Sequence, residues 1–203
     1  LLALTGNRVL RTKDLAPFYS NPTQEAARLA AQGILLKLAT GYYVVVPEDR
    51  RDGGWRPAIE DVALAIGVAD YGPQHSALAG PSAARALGVL PRALSKAVLA
   101  VPVHRSPLKT IAGQIVFTFR NVERLDLQRA TTELAAGYTT TAEQTILDLA
   151  ARPLLGGISP EQAVEARRAL LPRCDLDRVA SLAHVQHRKT AFDLIRSEAT
   201  ASI

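Results

Sequence analysis

The sequence predicts an α+β fold, and three observations carry that prediction. Helical periodicity and short strand-like runs follow one another along the chain. A balance of 48% hydrophobic to 21% charged residues is that of an ordinary globular protein. The single cysteine, Cys174, excludes an intrachain disulfide and a multi-cysteine zinc cage, so the fold rests on packing alone. A length of 203 residues fits one large domain or two small ones. Composition shifts over Pro47–Pro57, PEDRRDGGWRP, a charged, glycine-paired run bracketed by prolines. This predicts an N-terminal unit over residues 1–50, a linker over 51–57 and a larger unit over 58–203.

In the first unit, Thr12 is placed to cap a short helix through Phe18, with Leu15 inward. Ser20-Asn21-Pro22 stops the chain and restarts it: Asn21 is an N-cap and Pro22 suits the first helical position, so a second helix should run to about Gln32. Gly33 closes it, and the period then changes from helical to alternating. Over Leu35–Val46 a two-residue turn at Thr40-Gly41 pairs Ala39 with Tyr42 and Leu38 with Tyr43. That register groups Leu36, Leu38, Tyr43 and Val45 on one face, and Lys37, Ala39, Tyr42 and Val44 on the other.

In the second unit, Ile59–Ala69 and Gly80–Leu87 read as helices, and Lys96–Val103 and Gly113–Arg120 as strands. Thr141 with Gln144, and Ser159 with Pro160 and Gln162, mark helix starts at Ala142–Ala151 and Pro160–Leu170. Asp175 or Asp177 caps a further helix that reaches His187 or beyond. The expected architecture is an N-terminal winged helix-turn-helix followed by a mixed α/β domain that ends in helices. Helix, turn, helix, glycine, hairpin is the order of that motif, whose second helix enters the DNA major groove.

Charge distribution agrees with a polyanion-binding front end. Residues 1–57 carry eight bases against five acids, and residues 80–129 carry eight against two. At 100° per residue, Ala26, Leu29 and Ala30 share one face of the Pro22 helix, while Gln24, Ala27, Arg28 and Ala31 lie broadly opposite. Glutamine can pair with adenine and arginine with guanine, and small alanines let the backbone approach the bases. Asn21 and Thr23 sit where phosphate or base contacts begin, at a helix N-terminus that itself favours phosphate. Thr12 and Lys13 are expected to clamp the DNA backbone, and Lys37, Thr40 and Tyr42 to project from the outer face of the wing. A second basic patch is expected from Arg85, Arg92, Lys96, Arg105 and Lys109. The competing reading makes the same unit a protein-binding scaffold with a solvated polar face.

RTKDLAPF at Arg11–Phe18, GILLKLATGYYVVV at Gly33–Val46, ALAGPSAARALGVLP at Ala77–Pro91 and TTAEQTILDLAARP at Thr140–Pro153 together resemble the AbiEi-type antitoxins of type IV (abortive infection) toxin–antitoxin systems. The resemblance covers most of the chain. It implies a winged helix that represses its own operon by binding double-stranded operator DNA, and a C-terminal domain needed to neutralise a nucleotidyltransferase-like toxin. That family's wing usually carries a basic residue before a Gly-x-Tyr. Here Lys37 lies in the strand and Thr40 at the tip.

No enzymatic activity and no cofactor are expected. The chain contains no GxxxxGK, HExxH or GxSxG, and no acidic residue two positions before a lysine. His184 and His187, with Cys174, Asp175 and Asp177 upstream, leave a metal hydrolase as a third reading, although an ordinary surface pair explains them and no metal ligand is assigned. No apolar run approaches membrane-spanning length, so a cytoplasmic protein with no membrane partner is expected.

Overall fold

The computed structural model describes residues 6–51, 54–91 and 93–201, a mixed α+β chain with one small sheet and one large one. In the small sheet β1 (Val9–Arg11) and β2 (Leu35–Ala39) flank β3 (Tyr42–Val45), both antiparallel to it. Between β1 and β2 lies α1 (Pro22–Ala31). Asn21 Oδ1 accepts the Gln24 N–H at 3.2 Å and Pro22 opens the helix, as the sequence predicts. At the other end Ile34 N–H donates to Leu29 and Gly33 N–H to Ala30, at 3.1 and 3.0 Å. This double closure needs a left-handed residue, and Gly33 supplies it at φ +70°.

Two expectations for this unit are corrected. The helix expected over Thr12–Phe18 is a 3-10 turn over Thr12–Leu15 only. Asp14 folds back to take the Arg11 backbone N–H at 2.8 Å, and Pro17 has no N–H with which to continue a helix. In the hairpin, Thr40-Gly41 is the turn and Ala39 pairs with Tyr42, but a bulge at Leu38 puts Lys37 opposite Tyr43. One inserted residue reverses the faces beyond it. Leu36, Leu38, Tyr42 and Val44 therefore share the face that packs on α2 (Ile59–Tyr71), while Leu35 and Tyr43 pack with Ala26 of α1 and with Leu10.

The large sheet has the order β6-β7-β5-β4-β9-β8, with β4 Ala77–Leu78, β5 Lys96–Val101, β6 Leu108–Thr110, β7 Gly113–Phe119, β8 Leu127–Thr131 and β9 Ala136–Thr140. β5 is parallel to β7 and β4 to β9, and the other neighbours are antiparallel. The helix α2 is wedged between the two sheets. Residues Val62 to Ile66 are fully buried, and one cluster joins Val9, Leu38 and Val44 of the small sheet to Leu99, Val101 and Ile115 of the large one. Contact here is so close that a Cβ on Gly67 would lie 2.6 Å from Leu99 Cδ2. Asn7, just before β1, is tied to α2 by donating to the Ala65 carbonyl at 3.0 Å.

On the other face of the large sheet Val98 and Ala100 pack with Ala77, Val122 and Leu125. α3 (Gly80–Ala86) links the sheet to the C-terminal helices α4 (Ala142–Ala151), α5 (Pro160–Leu170), α6 (Leu176–Val185) and α7 (Lys189–Ala201). Thr141, Ser159 and Asp175 cap α4, α5 and α6 through backbone N–H groups of their first turns. Ile146, Leu147 and Leu149 of α4 are fully buried at the centre of that helical cluster. No helix among the described residues is long and apolar enough to cross a membrane.

Candidate nucleic-acid interface

The strongest candidate surface is built on α1. Its buried stripe is Ala26, with Leu29 and Ala30 half-buried beside it, so Asn21, Thr23, Gln24, Ala27, Arg28 and Ala31 stand exposed on the outside. The Asn21 amide also donates to Gln24 Oε1 at 3.1 Å, which orients the glutamine before any ligand arrives. Arg28 is 54% exposed yet forms a two-pronged pair with Glu25, at 2.9 and 2.6 Å. That pair holds the Glu25 carboxyl below its ordinary range. Glu25 therefore competes for the guanidinium with any base or phosphate. Tyr19, Ser20, Asn21, Gln24, Glu25 and Arg28 line a cleft of about 320 Å³ at the start of the helix.

Lys13 is exposed on the turn before α1, and Thr12 beside it is half-buried. Lys37 is exposed on an edge strand, and its partner Tyr43 packs toward α1, so Lys37 lies on the α1 side of the small sheet. Thr40 is exposed at the turn.

Tyr42, expected to project from the outer face of a wing, does not project from the hairpin. It lies on the opposite face from Lys37, where its hydroxyl donates to Asp70 Oδ2 at 2.7 Å and accepts from Arg105 at 2.8 Å. Arg105 also reaches Asp70 at 2.6 Å and stacks over the Phe117 ring at 4.3 Å. Arg11 approaches Asp70 at 3.4 Å and pairs with Asp14 at 2.7 Å. Burial, followed by the bond to Asp70, raises the Tyr42 hydroxyl above its ordinary pKa. This centre fastens the small sheet to the end of α2 and to the segment after β5. Sequence reasoning missed Asp70 because the group it serves is assembled from four separate segments.

The described residues of the second basic patch are likewise not all gathered on one surface. Arg85 pairs with buried Glu60 at 3.1 Å. Lys109 and Lys96 line up through Gln114 across β6, β7 and β5, on the face opposite Phe117 and hence opposite Arg105. Lys109 is exposed, whereas Lys96 is half-buried against the turn at Gly157. Arg92 lies outside the described residues.

Among the described residues, no group of three or more His, Cys, Asp or Glu could hold a metal ion. Cys174 donates to the Leu170 carbonyl, and burial, with Glu143 nearby, pushes its thiol up to about 12. Asp175 is occupied as the α6 cap.

No protein-family model and no curated protein matches the chain. Among solved structures, it is similar to the crystal structure of the RV2827C protein from Mycobacterium tuberculosis, at a TM-score of 0.62 and 20% identity. That likeness covers 95% of this chain and 73% of the other, and it shows a shared fold.

Proposed function

We propose that the chain is a DNA-binding transcriptional autorepressor whose N-terminal unit is a winged helix-turn-helix. The single observation that carries this reading is the outward face of α1. There Gln24 and Arg28 flank small alanines above a capped helix N-terminus, and Lys37 stands on the same side of the sheet. Gln24 and Arg28 read bases in the major groove, and Lys13 and Lys37 hold phosphates. The antitoxin role rests on the sequence resemblance to the AbiEi-type family. In it the chain neutralises a nucleotidyltransferase-like toxin and performs no catalysis of its own.

The test is a gel-shift series on DNA from upstream of its own gene. Arg28→Ala should cost about 1 to 3 kcal/mol and relax preference at one base position. Lys37→Ala should weaken all duplexes alike and flatten the log-salt slope by about one unit. Binding that is absent at low salt overturns the reading. A scaffold that binds protein instead is favoured by one observation, the exposure of Phe18 at 66% and Tyr19 at 42% just before α1. Such a scaffold would show no duplex binding at any salt concentration.

A further inference from the structure

We propose that the cleft between the Arg120–Arg124 turn and the α6–α7 turn is a binding site for a small phosphate-bearing anion. The cleft holds about 270 Å³, and Arg120, Arg124, Gln186, His187 and Arg188 are among its lining residues, which include no carboxylate.

Around this cleft the fold sets more guanidiniums than carboxylates. Arg120 donates to Asp148 Oδ1 at 2.9 Å and to Gln186 Oε1 at 2.8 Å. Arg188 comes no nearer than 3.6 Å to that same oxygen. Arg188 Nη1 and Asp148 Oδ2 are both buried with no hydrogen-bond partner. Gln144 also donates to Asp148 Oδ1, at 3.1 Å, so the one carboxylate is crowded on a single oxygen. Burial and then Arg120 depress the Arg188 pKa, Asp148 opposes them, and Arg152 adds a smaller depression as a third guanidinium. Arg124 is exposed, and its side chain makes no hydrogen bond or ion pair among the described residues, its backbone N–H alone donating to the Asn121 carbonyl at 3.1 Å.

Elsewhere in this chain the inward-facing arginines lie within hydrogen-bond distance of a carboxylate. Arg167 grips Glu198 with two nitrogens, at 2.5 and 3.0 Å, and Arg105 holds Asp70. A guanidinium does not give up its proton in a protein, so desolvation of Arg188 with only a shared, distant carboxylate cannot be relieved by neutralisation. Arg188 Nη1 has no exposed surface, so an anion in the cleft answers that charge through its field and through the accessible edges of Arg124 and Arg188, and the planar fork of arginine matches the oxygens of a phosphoryl group. Two details of the lining agree. α7 begins directly after Arg188, so the unpaired N–H groups of a helix of 13 residues start at the edge of the cleft. His187 takes a left-handed conformation at φ +55°, among the described residues the one non-glycine to do so.

The test is titration of the full chain with sodium phosphate against sodium chloride at equal ionic strength, followed by calorimetry and thermal melting, with AMP and a short DNA duplex as further arms. Saturable binding of inorganic phosphate is expected. It should weaken roughly tenfold in Arg124→Ala, an exposed change that leaves folding intact, and more in Arg188→Met. If AMP binds tenfold or more tightly than phosphate, the source is a nucleotide; equal binding identifies free phosphate. Absence of saturable binding by either at roughly 10 mM overturns the proposal. So does binding that neither variant weakens, or duplex binding that Arg124→Ala weakens while phosphate and AMP do not bind, which would make the cleft a DNA backbone contact.

Discussion

Two ionic centres in this protein are built from the same parts and differ in their balance. Around Asp70, two guanidiniums, Arg11 and Arg105, meet two carboxylates, Asp70 and Asp14, and the Tyr42 hydroxyl closes the circuit. Around Asp148, Arg120 and Arg188 converge on a single carboxylate, and one atom on each side of the Arg188–Asp148 pair is buried without a hydrogen bond. A closed circuit offers a ligand nothing and serves as a joint between sheets. An open one holds positive charge in reserve, since a desolvated charge keeps its field until something answers it. Counting acids against bases along the sequence cannot tell these two centres apart.

The largest effect expected from this contrast is at the closed centre. Asp70 is 12% exposed, and its removal leaves Arg105 without a carboxylate and the Tyr42 hydroxyl without its acceptor, while Arg11 keeps Asp14, so Asp70→Ala should lose about 3 kcal/mol in urea unfolding. Phosphate should recover none of it. Asp148→Ala should lose less, about 2 kcal/mol, because Arg188 Nη1 already lacks a hydrogen bond and holds Asp148 only at 3.6 Å. Here added phosphate should return part of the loss. Equal losses with equal phosphate responses would erase the distinction between the centres.

Tyr42→Phe sharpens the same comparison on a smaller scale. It keeps the ring in the core and removes one donor and one acceptor, so about 1 to 2 kcal/mol should be lost. Duplex binding should be unchanged, because the side chain faces α2 rather than the α1 side of the sheet. A selective loss of DNA affinity at unchanged stability would return Tyr42 to the interface.

What was legible in the sequence had local causes. Asn21, Pro22 and Gly33 delimit α1 because capping and left-handed closure are decided within a few residues. Thr141, Ser159 and Asp175 announce their helices for the same reason. Strands β4, β8 and β9 were not legible. β4 is two residues long, and β8 reads LQRAT, a polar run made into a strand by its pairing with β9. The bulge at Leu38 escaped because both registers bury plausible residues, and only the presence of α2 on the second face decides between them. At the candidate surface, exposure of Gln24 and Arg28 followed from helical period alone. The Glu25–Arg28 pair was also within reach as an i, i+3 spacing, whereas the partners of Asp70 and Asp148 come from distant segments.

The smallest effect expected is a gain. α1 and α6 end in the same double closure: Gly33 N–H to Ala30 with Ile34 N–H to Leu29, and His187 N–H to His184 with Arg188 N–H to Ala183. The motif asks for a left-handed residue in both, and glycine meets that demand without strain only at position 33. His187→Gly should therefore stabilise the chain by about 0.5 to 1 kcal/mol, a rise in Tm of about 1 to 4 °C, after the greater freedom of glycine in the unfolded state is deducted. Gly33→Ala is the mirror experiment. A Cβ there meets nothing within 4 Å, so its expected loss of about 1 kcal/mol isolates the backbone term. If His187 is kept for the cleft, the stabilised variant should bind phosphate more weakly than the parent. A melting temperature that stays level or falls in His187→Gly would show that the α6–α7 turn carries no strain, and would remove that detail from the case for the open centre.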